Sequence, residues 1–289
     1  MTPEQEARVV IDEKLEQSGW VVQNVAQLNL GAALGVAVRE FPTDTGPVDY
    51  ALFIDGDPVG VIEAKKSSVG ENITVVEEQS ARYATSSFKW INREYTIRFA
   101  YEATDKLIKF TDYKDIKYRS RRVFSFHRPE YLESLLQARD TIRNNMKHFP
   151  ILDTTGFREC QINAINNMDV SFADNRPRAL VQMATGAGKT FTAITEAYRL
   201  LKYGKMNRIL FLVDTKSLGE QAEREFLAYT PNDDTRSFSQ LYGVRRLKNS
   251  YIPNDVQICI STIQRMYSIL KEEDLDESTE EESFNEYVT

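Results

Sequence analysis

The sequence is poor in the residues that make structural staples. Only two cysteines occur in 289 residues, Cys160 and Cys259, too far apart for the spacing of a metal-binding knuckle, so neither a disulfide framework nor a zinc site is expected. Histidine is equally scarce, and the two single residues, His127 and His148, are given no chemistry. No apolar run reaches the roughly 18 to 20 residues that a membrane span requires, and the polar, acidic start MTPEQEARVV lacks the apolar core of a signal peptide. A soluble protein of the reducing cytoplasm, with no membrane partner, is the expectation. There is no excess of positive charge either: the formal net charge is -7, so any nucleic-acid surface must be local.

What is present suits two ordinary globular domains, at 42% hydrophobic residues. The capping-box pattern Thr2-Pro3-Glu4-Gln5, followed by Ala7, Val10, Ile11 and Leu15, predicts a first helix ending at Gly19. Short apolar runs at Val36–Phe41, Tyr50–Ile54 and Val59–Ile62, separated by Gly, Pro and Asp, predict a strand meander. A helix over Glu71–Ala84, strands over Thr96–Tyr101 and Lys106–Phe110, and a helix over Pro129–Lys147 complete an α+β domain at residues 1–148. Pro150 and the Thr154-Thr155-Gly156 punctuation mark the junction, and residues 149–289 change to an α/β rhythm, with strands at Arg178–Met183, Arg208–Val213 and Val256–Ile260. The acidic run Lys271–Glu282 reads as a solvated loop.

Within the second half, MATGAGKT at Met183–Thr190 lies between a predicted strand and a predicted helix. Gly186 and Gly188 let the backbone curl so that the N–H groups of Thr185 to Lys189 can face one phosphate chain. Lys189 can meet the β/γ-phosphates, and Thr190 can hold Mg2+. The first glycine of the usual pattern is replaced by Met183. Upstream, Arg158 and Gln161 stand three apart at a helix start and can face the same way. Downstream, two strands end in polar side chains, Asp214-Thr215-Lys216 and Ser261-Thr262 with Gln264, on the edge of a parallel sheet where ligands sit. In this order the segments resemble the first RecA-like motor domain of superfamily-two helicases and translocases. The resemblance implies that Gln161 reads adenine, that Arg158, Gln161 and Thr185, Gly186, Ala187, Gly188, Lys189 and Thr190 hold ATP, and that the strand ends contact DNA. No Asp-Glu-x-His follows the third strand, so this chain is expected to bind ATP more readily than it hydrolyses it, and to be the N-terminal part of a longer protein.

In the first half, Asp55-Gly56-Asp57-Pro58 is a turn signal between two β-rich runs. A hairpin centred on Gly56 sets Asp49 opposite Glu63, with Lys65 two residues further along the same strand, so all three share a face; a one-residue slip would separate them. Two adjacent carboxylates repel unless a cation lies between them, and a divalent metal with oxygen ligands resolves the conflict. Lys65 would then orient or deprotonate a metal-bound water or steady the scissile phosphate. A salt bridge on a solvated sheet face accounts for the same spacing. The order Asp49, then Glu63-Ala64-Lys65, then Gln79 and Tyr83 at i and i+4, resembles the PD-(D/E)xK nuclease core of the RecB-like branch. That resemblance implies a Mg2+ site built from Asp49, Glu63 and the Ala64 carbonyl, and catalytic roles for Asp49, Glu63, Lys65, Gln79 and Tyr83; Glu6, beside Val9 and Val10 on the first helix, reads either as a further acidic ligand looking inward or as an ordinary exposed first-turn glutamate. The stretch KYRSRRVFSFHRP interleaves Lys117, Arg119, Arg121, Arg122 and Arg128 with Phe124, Phe126 and His127, which suits either a nucleic-acid backbone or a strand with core aromatics and solvated arginines.

A RecB-like nuclease joined to a superfamily-two motor, with the phrases ARVVIDEKLEQSGW, VAVREF, VIEAKKS, SRRVFSFHRP and MATGAGKT, resembles the restriction and motor (R, HsdR) subunit of type I restriction-modification enzymes over nearly the whole chain. It implies a type I deoxyribonuclease that cuts double-stranded DNA after ATP-driven translocation, in complex with methylation and specificity subunits; S-adenosylmethionine belongs to those partners. A stand-alone or type III-like nuclease-translocase and an ATP-binding scaffold with a degenerate nuclease pocket are the alternatives.

Overall fold

The computed structural model describes residues 3–43, 46–65, 97–271 and 275, with no account of the side chains of residues 3–7. Two compact units divide the chain, Met1–Thr141 and Ile142–Thr289. None of the described helices is long and apolar enough to cross a membrane.

In the first unit, helix α1 (Pro3–Gln17) ends where Gly19 takes φ 87°, letting the Trp20 amide reach back to the Leu15 carbonyl and the Gly19 amide to Glu16. This double closure needs the left-handed residue that glycine supplies without strain. Seven strands follow in sequential order: β1 (Val21–Asn24), β2 (Gly35–Thr43), β3 (Gly46–Ile54), β4 (Asp57–Ala64), β5 (Phe99–Ala103), β6 (Ile108–Asp112) and β7 (Arg121–Val123). β1 and β7 were not foreseen, being short and mostly half-exposed, with no alternation to betray them. The pairs β1–β2 and β4–β5 are parallel and the others antiparallel, so the sheet is mixed. Both of its faces carry apolar residues. One packs Ile11 and Leu15 of α1 on Tyr50, Leu52, Ile62 and Tyr101; the other gathers Val36, Val38, Phe41, Val48, Ala51, Phe53 and Val61. Double-sided burial explains why β3 and β4 read as nearly continuous apolar runs rather than as an alternation.

The β3–β4 hairpin turns on two residues, Asp55 and Gly56, both at positive φ (49° and 81°), the mirror-image turn that Asp-Gly favours. Near that turn Phe53 pairs with Pro58; the register then shifts at Val59, and Leu52, Ala51 and Tyr50 pair with Gly60, Val61 and Ile62. The tight turn alone would have left the strands one residue out of step with the expected pairing. The bulge at Val59 restores the offset centred on Gly56, and continuing the ladder places Asp49 across from Glu63.

After the sheet, the helix expected over Pro129–Lys147 is instead two, α2 (Pro129–Gln137) and α3 (Ile142–Met146). The chain leaves the helix at Ala138, whose backbone is extended (ψ 133°). α3 joins the second unit by packing on α4 (Glu159–Ala173), with the Arg143 guanidinium donating to the Phe172 carbonyl at 3.0 Å and lying over its ring. The boundary between compact units therefore falls ahead of the Pro150 segment. The helix expected over Glu71–Ala84 and the acidic run after Lys271 lie outside the described residues, apart from Leu275.

In the second unit, α5 (Lys189–Lys202), β8 (Ile209–Val213), α6 (Lys216–Ala228), the short α7 (Phe238–Leu241), β9 (Val244–Arg246), β10 (Ile258–Thr262) and α8 (Ile263–Lys271) follow α4. The sheet is parallel, in the order β8-β10-β9. Ile194, Tyr198 and Leu201 of α5 and Ala222 and Phe226 of α6 pack on Ile258 and Ile260. The strand expected over Arg178–Met183 does not form. Its backbone joins neither described sheet, and Leu180 is 96% exposed. An apolar run becomes a strand only where a neighbouring ladder takes its N–H and C=O groups.

Candidate functional site

In the first unit, Asp49, Glu63 and Lys65 come together at the ends of β3 and β4. The Asp49 carboxylate is held on both sides: Oδ2 accepts from the Ala64 amide at 2.8 Å, and Oδ1 accepts from Arg8 Nη2 of α1 at 2.7 Å. Glu63 pairs with Lys65 at 3.5 Å, their side chains 12% and 19% exposed. The β4–β5 register then sets the buried Glu102 beside Glu63, with Lys109 beyond it on β6. Sequence reasoning missed Arg8 and Glu102, because each acquires its place only through a neighbouring element distant in the chain.

The face-sharing argument needs one correction. Glu40, on β2, has φ 50°, and Phe41 and Val48 pack in the same core as Val38 and Ala51, so the two-residue alternation is broken where β2 and β3 pass Glu40 and Asp49. A left-handed residue within a strand pair rotates the following side chains, as a bulge does. Here it carries Asp49 toward α1, within reach of Arg8. On the same side a cleft is lined by Arg8, Arg39, Glu40, Asp49 and Tyr50. Arg39 is paired with Asp12 at 2.9 Å, and Asp12 also accepts from the Tyr50 hydroxyl at 2.8 Å. Burial, then that hydrogen bond, pushes the Tyr50 hydroxyl far above its ordinary pKa.

Among the described residues, no group of three or more His, Cys, Asp or Glu side chains could hold a metal ion. The two carboxylates of Asp49 and Glu63 and the Ala64 carbonyl are hard oxygen donors, and a Mg2+ ion takes one or two carboxylates and completes its shell with water and phosphate. The donor chemistry fits that ion. The side chain of Glu6 and all of Gln79 and Tyr83 lie outside the described residues.

The basic and aromatic stretch divides. Phe126 is buried in the core, and the Tyr101 hydroxyl lies 2.7 Å from His127 Nδ1. Burial, and after it the charge of Arg121, lowers the His127 pKa to about 4, so the ring is neutral. Arg121 lies over the Phe110 ring and 3.6 Å from Asp115, while Phe124 is 86% exposed and Lys117, Arg119 and Arg122 face solvent. Core aromatics with solvated arginines describe most of this segment.

In the second unit, Gly186 (φ 75°) and Gly188 (φ 88°) curl the loop that leads into α5, with Gly188 as its N-cap. Lys189 Nζ folds back to the carbonyls of Ala184 (3.2 Å) and Met183 (3.4 Å). Arg158 and Gln161 both reach this loop. Arg158 Nη1 donates to the Gly186 carbonyl at 2.5 Å and Gln161 Nε2 to the Ala187 carbonyl at 2.9 Å, while Gln161 Oε1 accepts the Arg158 amide at 3.0 Å. An added Cβ at Gly188 would lie 2.3 Å from Gln161 Nε2, so the absence of a side chain there is what lets the two segments meet. The Ala187 amide donates to the Ala184 carbonyl at 3.2 Å within the loop. At the far strand ends, Thr262 pairs in register with Val213, which brings Asp214 and Ser261-Thr262 side by side. Thr215 caps α6 by accepting the Leu218 amide, and Ser261 and Thr262 are buried.

Residues 154–287 match the family model described as type III restriction enzyme, res subunit, and residues 31–138 match that of the type I restriction enzyme EcoKI endonuclease subunit second domain. Among curated proteins, the chain is 28% identical over 316 aligned residues to the type I restriction enzyme EcoKI endonuclease subunit of Escherichia coli K12, covering 91% of this chain and 27% of that protein. It is 38% identical over 81 residues to the EcoAI endonuclease subunit of Escherichia coli, 28% of this chain and 9% of that one. A solved fragment assigned to the HsdR subunit of a type I restriction enzyme of Vibrio vulnificus YJ016 is 22% identical, covering 94% of this chain and 49% of that chain with a TM-score of 0.35. The chain spans about a quarter of the length of the curated relatives it matches across most of its residues.

Proposed function

The chain belongs to the family of type I restriction enzyme endonuclease (HsdR) subunits, and on that premise we propose that its first unit is the nuclease and its second the first motor domain of an enzyme that cuts double-stranded DNA after ATP-driven translocation. The observation that carries the nuclease half is the Asp49 carboxylate fastened to the Ala64 amide, one residue from the Glu63–Lys65 pair. The ends of these two strands would together supply an acid, a second acid, a backbone carbonyl and a lysine, the parts of a PD-(D/E)xK site. Asp49, Glu63 and the Ala64 carbonyl would hold Mg2+, which when bound would polarise the scissile phosphate and acidify a water. Lys65 is held against Glu63 and as an ammonium would orient the attacking water or balance charge on the phosphate.

For the motor half, the amides of Thr185 to Lys189 and the ammonium of Lys189 would take the β- and γ-phosphates of ATP, with the Thr190 hydroxyl on the nucleotide's Mg2+. Arg158 and Gln161 hold the loop in its curled form through the carbonyls of Gly186 and Ala187. Methylation and specificity subunits would supply the DNA sequence and the S-adenosylmethionine chemistry. Calorimetric titration tests both halves. Mn2+ should bind at a site that Asp49→Ala removes, whereas Lys189→Ala should remove ATP binding and leave the Mn2+ site intact. A Mn2+ isotherm unchanged by Asp49→Ala would overturn the nuclease reading, and unchanged ATP affinity in Lys189→Ala would overturn the motor reading.

A further inference from the structure

Asp49 already has a cation. Arg8 Nη2 meets its Oδ1 at 2.7 Å, and the other arm of the same guanidinium, Nη1, meets Glu40 Oε1 at 2.6 Å. The two acids differ in setting: the Asp49 side chain is 20% exposed and Glu40 66%. Arg8 thus spans an inner carboxylate of the nuclease site and an outer one at the surface. Glu40 takes a left-handed backbone (φ 50°) just where β2 passes Asp49, and this kink sets its carboxylate beside α1. The neighbouring acid Glu63 has Lys65 at 3.5 Å. Each of the two carboxylates is therefore matched by a side-chain cation.

We propose that Arg8 is the internal counter-cation of the nuclease site: it balances Asp49 while no divalent ion is bound, and releases it to an incoming ion while keeping its hold on Glu40. The proposal rests on the nuclease reading above. A guanidinium in contact with a ligand carboxylate lowers the affinity for a dication, because ligand and arginine then share one charge and the two cations repel. Arg8 is in this sense a positioning residue. It orients the Asp49 carboxylate with the Ala64 amide and sets the ion concentration at which the site fills, without touching substrate. A purely structural salt bridge makes the opposite prediction, since breaking it would loosen Asp49 and weaken metal binding.

The test is Mn2+ titration of the full chain by calorimetry, paired with thermal unfolding at zero and saturating Mn2+. Arg8→Gln should bind Mn2+ more tightly than the wild type, on the order of tenfold for the loss of one adjacent charge. It should also melt lower than the wild type without metal and at the same temperature with metal saturating. Glu40→Gln, at the exposed end of the bridge, leaves the guanidinium wholly to Asp49 and should weaken Mn2+ binding severalfold, which keeps the idea testable if Arg8→Gln folds poorly. Unchanged or weaker binding in Arg8→Gln, unchanged or tighter binding in Glu40→Gln, or a melting gap that persists at saturating Mn2+ would each overturn the counter-cation role. Asp49→Asn separates the layers. If it leaves the Mn2+ site untouched, the nuclease reading fails and the role of Arg8 with it; if it abolishes the site while Arg8→Gln does not tighten it, only the role of Arg8 fails.

Discussion

Alanine at Gly188 would show whether the phosphate loop and the Arg158–Gln161 pair behave as one unit. At φ 88° a side chain costs about 1–2 kcal/mol in backbone strain alone. The new Cβ would also stand 2.3 Å from Gln161 Nε2, and that amide, at the end of a flexible side chain, swings away more easily than the loop moves. It cannot leave freely, because the residue is only 6% exposed and holds two hydrogen bonds, to Ala187 and from the Arg158 amide. Each lost bond costs roughly 0.5–1.5 kcal/mol. The sum is about 3 kcal/mol, a fall of about 6–12 °C in midpoint for a unit of this size. Gly186→Ala is the control, since its φ is 75° but nothing lies within 4 Å of the added atom, so only the backbone cost applies. Thermal unfolding followed by circular dichroism should rank Gly188→Ala well below Gly186→Ala. In a Gln161→Ala background the two should converge, because the side chain to be displaced is gone. Equal midpoints of the two glycine variants in the wild-type background, or a gap that survives removal of Gln161, would refute the reasoning.

Two further measurements probe the buried charges. Burial, then the charge of Asp169, raises the Glu196 pKa to about 8, so the folded state keeps a proton that the unfolded chain releases in the ordinary glutamate range. Stability should therefore fall as pH rises from about 4.5 to 8. Glu196→Gln should match the wild type near pH 5 and exceed it in urea midpoint at pH 8; a wild-type profile that rises over that window would contradict the assignment. In the other unit, Asp112 accepts Arg98 Nε at 2.8 Å and Nη2 at 2.7 Å, with side chains 5% and 10% exposed, and Asp112→Ala would strand the guanidinium. A loss of about 3–5 kcal/mol in chemical denaturation is expected, and a loss below about 1 kcal/mol would mean that water reaches Arg98.

The parts legible in the sequence were those written in local chemistry. The first helix ends at Gly19, and β2, β3, β4, β5 and β6 fall within a few residues of their apolar runs. The curl at Gly186 and Gly188 follows from glycine itself, and Arg158 with Gln161 does meet that loop. What stayed hidden depended on partners distant in the chain. Arg178–Met183 has strand composition but no ladder to join, while Arg121–Val123 has little strand character and is recruited by β6. Pattern alone showed neither Arg8 as the partner of Asp49 nor the kink at Glu40, because Arg8 reaches Asp49 from a helix distant in the chain and glutamate carries no signal for a positive φ. The offset centred on Gly56 holds from Leu52 to Tyr50 although the turn itself is tighter than the expected one, since a tighter loop and a bulge cancel.

That cancellation gives the hairpin two independent length adjustments. The tip sets a coarse offset of one residue and Val59 takes it up, as a vernier does on a scale. A chain that lengthened the tip by one residue while losing the bulge would arrive at the same alignment of Asp49 with Glu63. Insertions at the tip and deletions near Val59 are thus expected to be tolerated in pairs and damaging singly, so the shape of the turn can change while both the spacing of the two acids along the chain and the offset of the two strands are kept.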